Sequence, residues 1–121
     1  MKKKLTCHCG DVEAEINITE DLEKLIRCNC SICKRKGAIM SMVKNEDFKI
    51  LKGESNLKIY QFHTNVAKHY FCSICGIYTH HHPRANPAMT GFNLGCIDGI
   101  DTLELENVTI NDGHNHPLDK K

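Results

Sequence analysis

The stretch CNCSIC, from Cys28 to Cys33, places three cysteine thiols within six residues. Thiols this close along the chain do not bridge each other easily, but their thiolates can point at one metal ion. A zinc ion that only stabilises a fold usually has four protein ligands, whereas a catalytic zinc keeps one position open for water or substrate. The triplet therefore indicates a zinc centre that binds a small thiol and makes it nucleophilic.

Counting cysteines leaves other interpretations of the triplet open. Cys96, which lies outside the cysteine clusters, could supply a fourth ligand and close the centre as a second structural site. The three thiols could also be redox-active, or simply reduced without a metal. The grouping is not forced either, because Cys7 and Cys9 could share an ion with part of the triplet.

Two more cysteine pairs, Cys7/Cys9 and Cys72/Cys75, supply four thiols that can surround one zinc tetrahedrally. The second pair lies in FCSICG, which is typical of a metal-binding knuckle, with Gly76 free to adopt the tight conformation after the last ligand. A closed site of four thiolates has no open position for chemistry. We therefore expect a structural zinc that connects the N-terminal hairpin to the middle of the chain.

Length and composition restrict the function classes. At 121 residues the chain fits a single domain, which we take to span residues 1–121. Hydrophobic residues make up 40% of the sequence and tryptophan is absent, so the core is thin and metal cross-links would stabilise it. The formal net charge of +1 argues against nucleic acid as the main partner, and no stretch approaches the length of a membrane span.

The eight cysteines would indicate disulfides in a secreted protein. The start MKKKLTCHCG has no apolar segment of signal-peptide length, so we expect a cytoplasmic, reducing environment. In such an environment the same cysteine pattern indicates metal binding or thiol chemistry.

Short alternating runs of apolar and polar residues must position these cysteines, and they predict a mainly β fold. The dipeptide Gly10-Asp11 is typical of a two-residue hairpin turn. Four apolar residues alternate on one face of the following strand: Val12, Ala14, Ile16 and Ile18. The predicted strands are Leu5–Cys9, Val12–Ile18, Ile39–Val43, Phe48–Lys52, Leu57–His63, Val66–Phe71, Ile77–His82 and Gly91–Leu94. The only helix-like segment is the short Thr19–Leu25.

Histidines are candidate proton carriers because they titrate near neutral pH. His80, His81 and His82 follow one another in a predicted strand. Strand geometry would place His80 and His82 on one face together with Tyr78, and His81 on the other face. One of these faces could line the site, and the alternative is structural hydrogen bonding in a rim strand.

Basic residues follow the triplet directly. Lys34 and Arg35, with Lys36 after them, could bind the carboxylates of a small thiol or offset the charge of the thiolates. A solvated basic face is the alternative interpretation. His114 and His116, near the end of the chain, could cover the pocket or belong to a polar tail.

The motifs also carry a resemblance. The sequence contains CHCG, CNCSICKRKG, FCSICGIYTHHHPRANP and GFNLGCIDG, in this order, from about Leu5 to Asp98. Together they resemble the glutathione-dependent formaldehyde-activating enzyme family, which also includes proteins similar to centromere protein V. The stretch CSICGIYTHHHPRANP looks closest to the centromere protein V-like branch. The resemblance implies the Mss4-like fold, a tent of antiparallel β-sheets around zinc.

The resemblance also implies ligand sets and an activity. It assigns the structural zinc to Cys7, Cys9, Cys72 and Cys75. It assigns the catalytic zinc to Cys28, Cys30 and Cys33. The implied reaction is condensation of glutathione with formaldehyde to S-hydroxymethylglutathione, classed as a carbon–sulfur lyase in the reverse direction. Lys34 and Arg35 are then the predicted binding residues for the carboxylates of glutathione.

A function of a different class is the alternative, because thiol addition to formaldehyde is an easy reaction. The protein could be a non-enzymatic zinc-binding module that contacts a protein or nucleic acid through its sheet surface. A labile second zinc that responds to added thiol would favour the enzyme. Two inert zinc ions without a thiol response would favour the binding module.

Overall fold

A computed structural model of the chain describes residues 2–18, 25–84 and 86–113. These residues form ten strands: β1 (Lys2–Thr6), β2 (Glu13–Asn17), β3 (Ile26–Cys28), β4 (Met40–Lys44), β5 (Phe48–Lys52), β6 (Leu57–Tyr60), β7 (Lys68–Cys72), β8 (Tyr78–His82), β9 (Met89–Asn93) and β10 (Thr109–Asn111). They also contain one short α-helix, α1 (Ser31–Lys36). The predicted mainly β fold is confirmed. No helix within the described ranges has the length and apolar character needed to cross a bilayer.

The strands form two sheets. A three-stranded antiparallel sheet has the order β1-β2-β5, and a seven-stranded sheet has the order β10-β3-β4-β9-β8-β7-β6. In the larger sheet β10 pairs parallel to β3, and the other pairings are antiparallel. The two sheets and the small helical content agree with the Mss4-like fold.

The core lies where apolar residues of both sheets meet. Phe92 of β9 is fully buried, as are Leu5 of β1 and Ile16 of β2. The predicted apolar face of the second strand is confirmed, since each of its four members is at most 7% exposed: Val12, Ala14, Ile16 and Ile18. The larger core cluster comprises Leu5, Ala14, Ile16, Ile18, Ile39, Phe92, Leu94, Cys96 and Ile97.

The connection between β1 and β2 differs from the prediction. The predicted strand Leu5–Cys9 is too long, because β1 ends at Thr6 and residues 7–12 connect it to β2. Gly10 donates its backbone N–H to the carbonyl of Cys7 at 3.1 Å, and its φ of +82° favours glycine. The connection is thus a wider loop than a two-residue turn, and it carries two of the cysteines.

The helix α1 was not predicted, and the prediction that Thr19–Leu25 is the only helix-like segment is wrong. Residues 19–24 of that segment lie outside the described part of the chain. Helix α1 begins after Cys30, whose Sγ accepts the backbone N–H of Cys33. It ends at Gly37, which has a left-handed conformation with φ of +64° and donates its N–H to the carbonyl of Cys33. Cysteine is not among the usual N-cap residues, so the start of the helix gave no standard signal.

Truncation of Phe92 tests the position of the core. Replacing Phe92 with Ala removes a fully buried ring and leaves a cavity, so we expect the free energy of unfolding to fall by about 3–5 kcal/mol. Urea titration followed by circular dichroism measures the change. Leu103, which is 94% exposed, provides the control, and Leu103→Ala should change stability by at most about 0.5 kcal/mol. Equal losses in both variants would contradict the assignment of the core.

Candidate metal centres

Four thiols from two distant parts of the chain meet at one point. The Sγ atoms of this four-thiol group lie within 4.8 Å of one another: Cys7, Cys9, Cys72 and Cys75. The Sγ of Cys9 is 3.6 Å from that of Cys7 and 3.7 Å from that of Cys72. A tetrahedral zinc with bonds of about 2.3 Å requires sulfurs about 3.8 Å apart. The four-thiol group therefore fits a closed tetrahedral metal ion.

Backbone turns hold these thiols in place. Val12 donates its backbone N–H to Sγ of Cys7 at 3.3 Å, within the connection between β1 and β2. After β7 the chain makes a tight knuckle, in which Gly76 donates its N–H to the carbonyl of Cys72 at 2.7 Å. Gly76 has a φ of +77°, which agrees with the role that the sequence predicted for it. The four-thiol group thus connects the end of β1 in one sheet to the end of β7 in the other.

The triplet forms a second group of thiols where β3 passes into α1. Cys28 ends β3, Cys30 is the N-cap of α1, and Cys33 lies in its first turn. Their Sγ atoms lie within 4.8 Å of one another. The backbone N–H of Cys33 donates to Sγ of Cys30 at 3.4 Å, so the helix start orients the thiol. Three converging sulfurs could hold a metal ion and leave one position of a tetrahedron for another ligand.

The thiols of the triplet influence each other's ionisation. The side-chain hydrogen bond from Cys33 lowers the pKa of Cys30 to about 5, against the effect of burial. The same bond, together with burial, raises the pKa of Cys33. Cys30 is therefore the thiol that ionises first, and a thiolate is the form that binds a metal.

The last described residues pack against the triplet, a contact for which the sequence carries no signal. The N–H of Asn29 donates to the carbonyl of Asn111 at 3.1 Å. A Cβ on Gly113 would collide with Sγ of Cys28 and lie 2.8 Å from Cβ of Cys30. Strand β10 and residue 113 therefore form one wall around the thiols, and only glycine fits at position 113.

Cys96 lies apart from the triplet. Among the described residues it belongs to neither thiol group. Its buried Sγ contacts the carbonyl of Tyr78 at 3.7 Å. Burial, and secondarily the neighbouring Cys7 and Cys75, raises the pKa of Cys96 to about 12. The structure therefore gives Cys96 the surroundings of a neutral core thiol, and does not bring it to the triplet.

A cavity of about 620 Å³ opens beside the triplet. The three cysteines line it, and Met40 and Met42 contribute to its apolar wall. Its polar lining includes His69, His81 and Arg84. The volume lies in the range of sites for small ligands. The triplet is thus accessible to a small molecule.

The histidine run is divided between two faces as predicted, since His81 lines the cavity and His80 and His82 line a second pocket, but the position of Tyr78 differs from the prediction. The pairing of β7 with β8 shifts between Tyr70 and Phe71, since Tyr70 pairs with His80 and Phe71 pairs with Tyr78. This bulge turns Tyr78 to the face of His81, where its hydroxyl lies 2.5 Å from Nδ1 of that ring. The prediction that Tyr78 shares a face with His80 and His82 is therefore wrong, because a period of two does not continue through a bulge.

The basic residues after the triplet have different surroundings. Lys34 and Arg35 are exposed on α1, outside the lining of the cavity, and Arg35 donates from Nη1 to the carbonyl of Ser31 at 2.8 Å. Lys36 points inward, with Nζ 2.8 Å from Nδ1 of His69 and 3.7 Å from the centroid of the Tyr78 ring. Burial lowers the pKa of Lys36 to about 8, although the nearby thiols oppose this shift.

His114 and His116 lie outside the described residues. Their predicted contribution to a cover over the pocket stays a prediction.

The fold and its two thiol groups define a small β protein with two candidate metal centres. A family model described as "Glutathione-dependent formaldehyde-activating enzyme" matches residues 2–111. The chain belongs to this family.

Two similar proteins support this assignment. A curated protein of Emericella nidulans, named "Putative glutathione-dependent formaldehyde-activating enzyme", is 33% identical over 79 residues, which are 62% of this chain and 40% of that protein. The chain thus matches less than half the length of this curated relative. A crystal structure of a Rhodobacter sphaeroides protein, from a structural genomics project, has 42% sequence identity and a TM-score of 0.85. That match covers 92% of this chain and 100% of the other.

Removal of single thiols should distinguish the two centres. Cys72→Ser breaks the group that connects the sheets, so we expect loss of one bound metal ion and of most of the cooperative thermal transition. Cys30→Ser should also lose one metal ion, but should lower the melting temperature by only a few degrees. Elemental analysis of bound metal and calorimetry measure both properties. An equal loss of stability in both variants would contradict the division into a structural and an accessible centre.

Acid should destabilise the fold through His80. This ring is 4% exposed and stacks on Tyr70 with the centroids 4.4 Å apart. Burial, and secondarily His82 and Lys36, lowers the pKa of His80 to about 3, below the 6.5 of an unfolded histidine. The native state then binds fewer protons than the unfolded state. The contribution of His80 to the free energy of unfolding is complete above about pH 6.5. It is lost as pH falls toward 3, by up to about 1.4 kcal/mol per pH unit.

Replacing His80 with Phe keeps an aromatic ring at this position and removes the group that takes up a proton. Urea titrations between pH 7 and pH 5 should give a shallower dependence of stability on pH in His80→Phe than in the parent. His63→Asn changes an exposed histidine with φ of +57°, where asparagine is tolerated, and should retain the parent slope. Parallel slopes for parent and His80→Phe would show that His80 does not contribute.

Proposed function

We propose that the protein is a zinc-dependent carbon–sulfur lyase that condenses glutathione with formaldehyde, or a related aldehyde, to S-hydroxymethylglutathione. The observation that carries the proposal is the cysteine triplet of Cys28, Cys30 and Cys33 on the wall of a cavity of about 620 Å³. Membership of the glutathione-dependent formaldehyde-activating enzyme family supports it.

Each thiol group would hold one zinc ion. The four-thiol group would hold a structural zinc, and the triplet would hold a catalytic zinc with one position left for the substrate thiol. When bound there, zinc supplies Lewis acidity that lowers the pKa of an incoming thiol and keeps it ionised near neutral pH. The low pKa of Cys30 supports the triplet as a ligand set, because it supplies a thiolate at neutral pH.

Basic residues near the cavity would bind the carboxylates of glutathione. Arg84 lines the cavity, and its planar guanidinium suits a carboxylate. Lys34 and Arg35 extend from the end of α1. Arg35 donates a hydrogen bond to the carbonyl of Ser31, a residue that lines the cavity. We keep Lys34 and Arg35 as proposed glutathione-binding residues and add Arg84.

The reaction itself needs little rearrangement. The thiolate sulfur of glutathione adds to the carbonyl carbon of formaldehyde, and the electron pair of the C=O π bond moves to oxygen. The oxygen takes up a proton from solvent, which gives the hydroxymethyl thioether. The reverse reaction breaks the new carbon–sulfur bond. Because the uncatalysed addition is easy, orientation of the two substrates in one cavity is the main task of the protein.

Three further predictions remain part of the proposal. The chain acts as a single domain over residues 1–121, it belongs to the centromere protein V-like branch, and it works in the cytoplasm.

Product formation tests the proposed function. We expect the zinc-loaded protein to accelerate formation of S-hydroxymethylglutathione from glutathione and formaldehyde, measured by exchange NMR above the uncatalysed rate. The acceleration by Cys30→Ser should be at least about tenfold smaller than that of the parent, because the substrate thiol loses its binding centre. Cys96→Ser is the matched control, since Cys96 lies outside both thiol groups and a serine hydroxyl can keep its bond to Tyr78. Two inert zinc ions and equal rates in parent and Cys30→Ser would favour the binding module instead.

A further inference from the structure

Two buried histidines line the same cavity as the triplet. His69 on β7 and His81 on β8 are paired in register across the two strands. Their ring centroids are 5.6 Å apart and their planes differ by 14°, so the two imidazoles are stacked. The two residues are 6% and 8% exposed, and both line the cavity.

Lys36 fixes the tautomer of His69. Its Nζ lies 2.8 Å from Nδ1 of His69. An ammonium group can only donate, so Nδ1 accepts this hydrogen bond and the ring proton is on Nε2. Burial, and secondarily the charge of Lys36, lowers the pKa of His69 to about 4, so the ring is neutral near pH 7.

Tyr78 fixes the tautomer of His81 in the same way. Its hydroxyl lies 2.5 Å from Nδ1 of His81. Burial raises the pKa of Tyr78 and lowers that of His81 to about 3, so both groups are neutral. A phenol is a stronger acid than a neutral imidazole, so the hydroxyl donates and the proton of His81 is on Nε2. Lys36 also contacts the Tyr78 ring, so one ammonium binds His69 directly and supports the partner of His81.

Gly91 makes room for the His81 ring. It lies opposite His81 in the pairing of β8 with β9. A Cβ at this position would collide with Cε1 of His81 and lie 2.8 Å from each of its ring nitrogens. The strand beneath the ring therefore needs glycine, and His81 rests directly on its backbone.

Both Nε2 atoms are available to a ligand. In residues 2–18, 25–84 and 86–113, the hydrogen bonds of His69 and His81 are made through Nδ1. Every fully buried side-chain nitrogen in these ranges has a hydrogen-bond partner. Because the bonds of both rings are made through Nδ1, the two Nε2 atoms are not sealed in the core. We propose that His69 and His81 form an oxygen-binding subsite, in which two Nε2–H groups receive the aldehyde oxygen as it becomes a hydroxyl. Lys36 and Tyr78 are its positioning residues. This inference rests on the proposed function.

The subsite answers a need of the reaction. The carbonyl oxygen gains negative charge during thiol addition, in the cavity that the three thiols of the triplet also line. Donors that are oriented before the reaction stabilise such an oxygen, and loss of one typically lowers turnover by about 10²–10³-fold. Neutral imidazoles suit this role because they donate without losing a proton.

Nitrogen-15 NMR of the zinc-loaded chain, labelled at histidine, tests the tautomers directly. We expect His69 and His81 to carry their protons on Nε2. In Lys36→Met the ring proton of His69 should no longer be confined to Nε2. In Tyr78→Phe the same should hold for His81. Lys49→Met, at an exposed position of β5, should leave both unchanged. Protons on Nδ1 in the parent, or unchanged tautomers in Lys36→Met and Tyr78→Phe, would overturn the proposal.

Formate then tests oxygen binding without turnover, because it is an oxygen ligand of the size of formaldehyde. Added to the glutathione-loaded protein, it should shift the Nε2 signals of His69 and His81 and leave those of His80 and His82 in place. Absence of this shift would overturn the subsite, even if the protein forms product. A shift in a protein that forms no product would uphold the subsite and reject the proposed reaction.

Kinetics supply a last comparison where product is formed. His81→Leu should lower kcat with formaldehyde by about 10²-fold or more and leave KM for glutathione nearly unchanged. His81→Gln retains an N–H donor and should recover part of that loss. Equal activity of His81→Leu and the parent would contradict the inference.

Discussion

The convergence of four thiols between two sheets is the contact on which the rest of the structure depends. Cys7 and Cys9 follow β1 of the small sheet, whereas Cys72 ends β7 of the large sheet and Cys75 closes the knuckle after it. The apolar core is small and contains no tryptophan, so burial alone gives limited stability. A metal ion in this group would connect strands that lie far apart in sequence, and it would fix the orientation of β7 and β8, which carry the cavity histidines.

The buried charge of Lys36 links the triplet to those histidines. An ammonium removed from water is costly unless it has partners, and the nearby thiols, the Tyr78 ring and His69 provide them. The thiols of the triplet therefore favour the charged form of Lys36. Lys36 in turn donates to His69 and contacts the ring of Tyr78. In this arrangement the thiols of the triplet also support side chains that do not belong to the triplet.

Cysteine spacing was the most informative part of the sequence, because structural zinc sites typically take their ligands in pairs that lie a few residues apart. The strand β5 was predicted with its observed bounds, and the buried face of β2 followed from simple alternation. The face of Tyr78 could not be predicted, since the bulge depends on how β7 and β8 pair. The inward direction of Lys36 depends on α1, whose main sequence signals are a basic last turn and the glycine at position 37.

The size of the cavity bears on which partner of the proposed reaction would supply the binding energy. Formaldehyde has two heavy atoms, whereas a cavity of about 620 Å³ suits a ligand many times larger. In the proposed reaction the apolar wall of Met40, Met42 and Phe62 would contact the thiol, and the aldehyde would have only the space that remains. A thiol that fills the cavity first would restrict the aldehyde to the region between its sulfur and the histidine donors. Under the proposed function, selectivity would come from binding of the thiol, and the reaction of the aldehyde would depend on its position more than on its affinity.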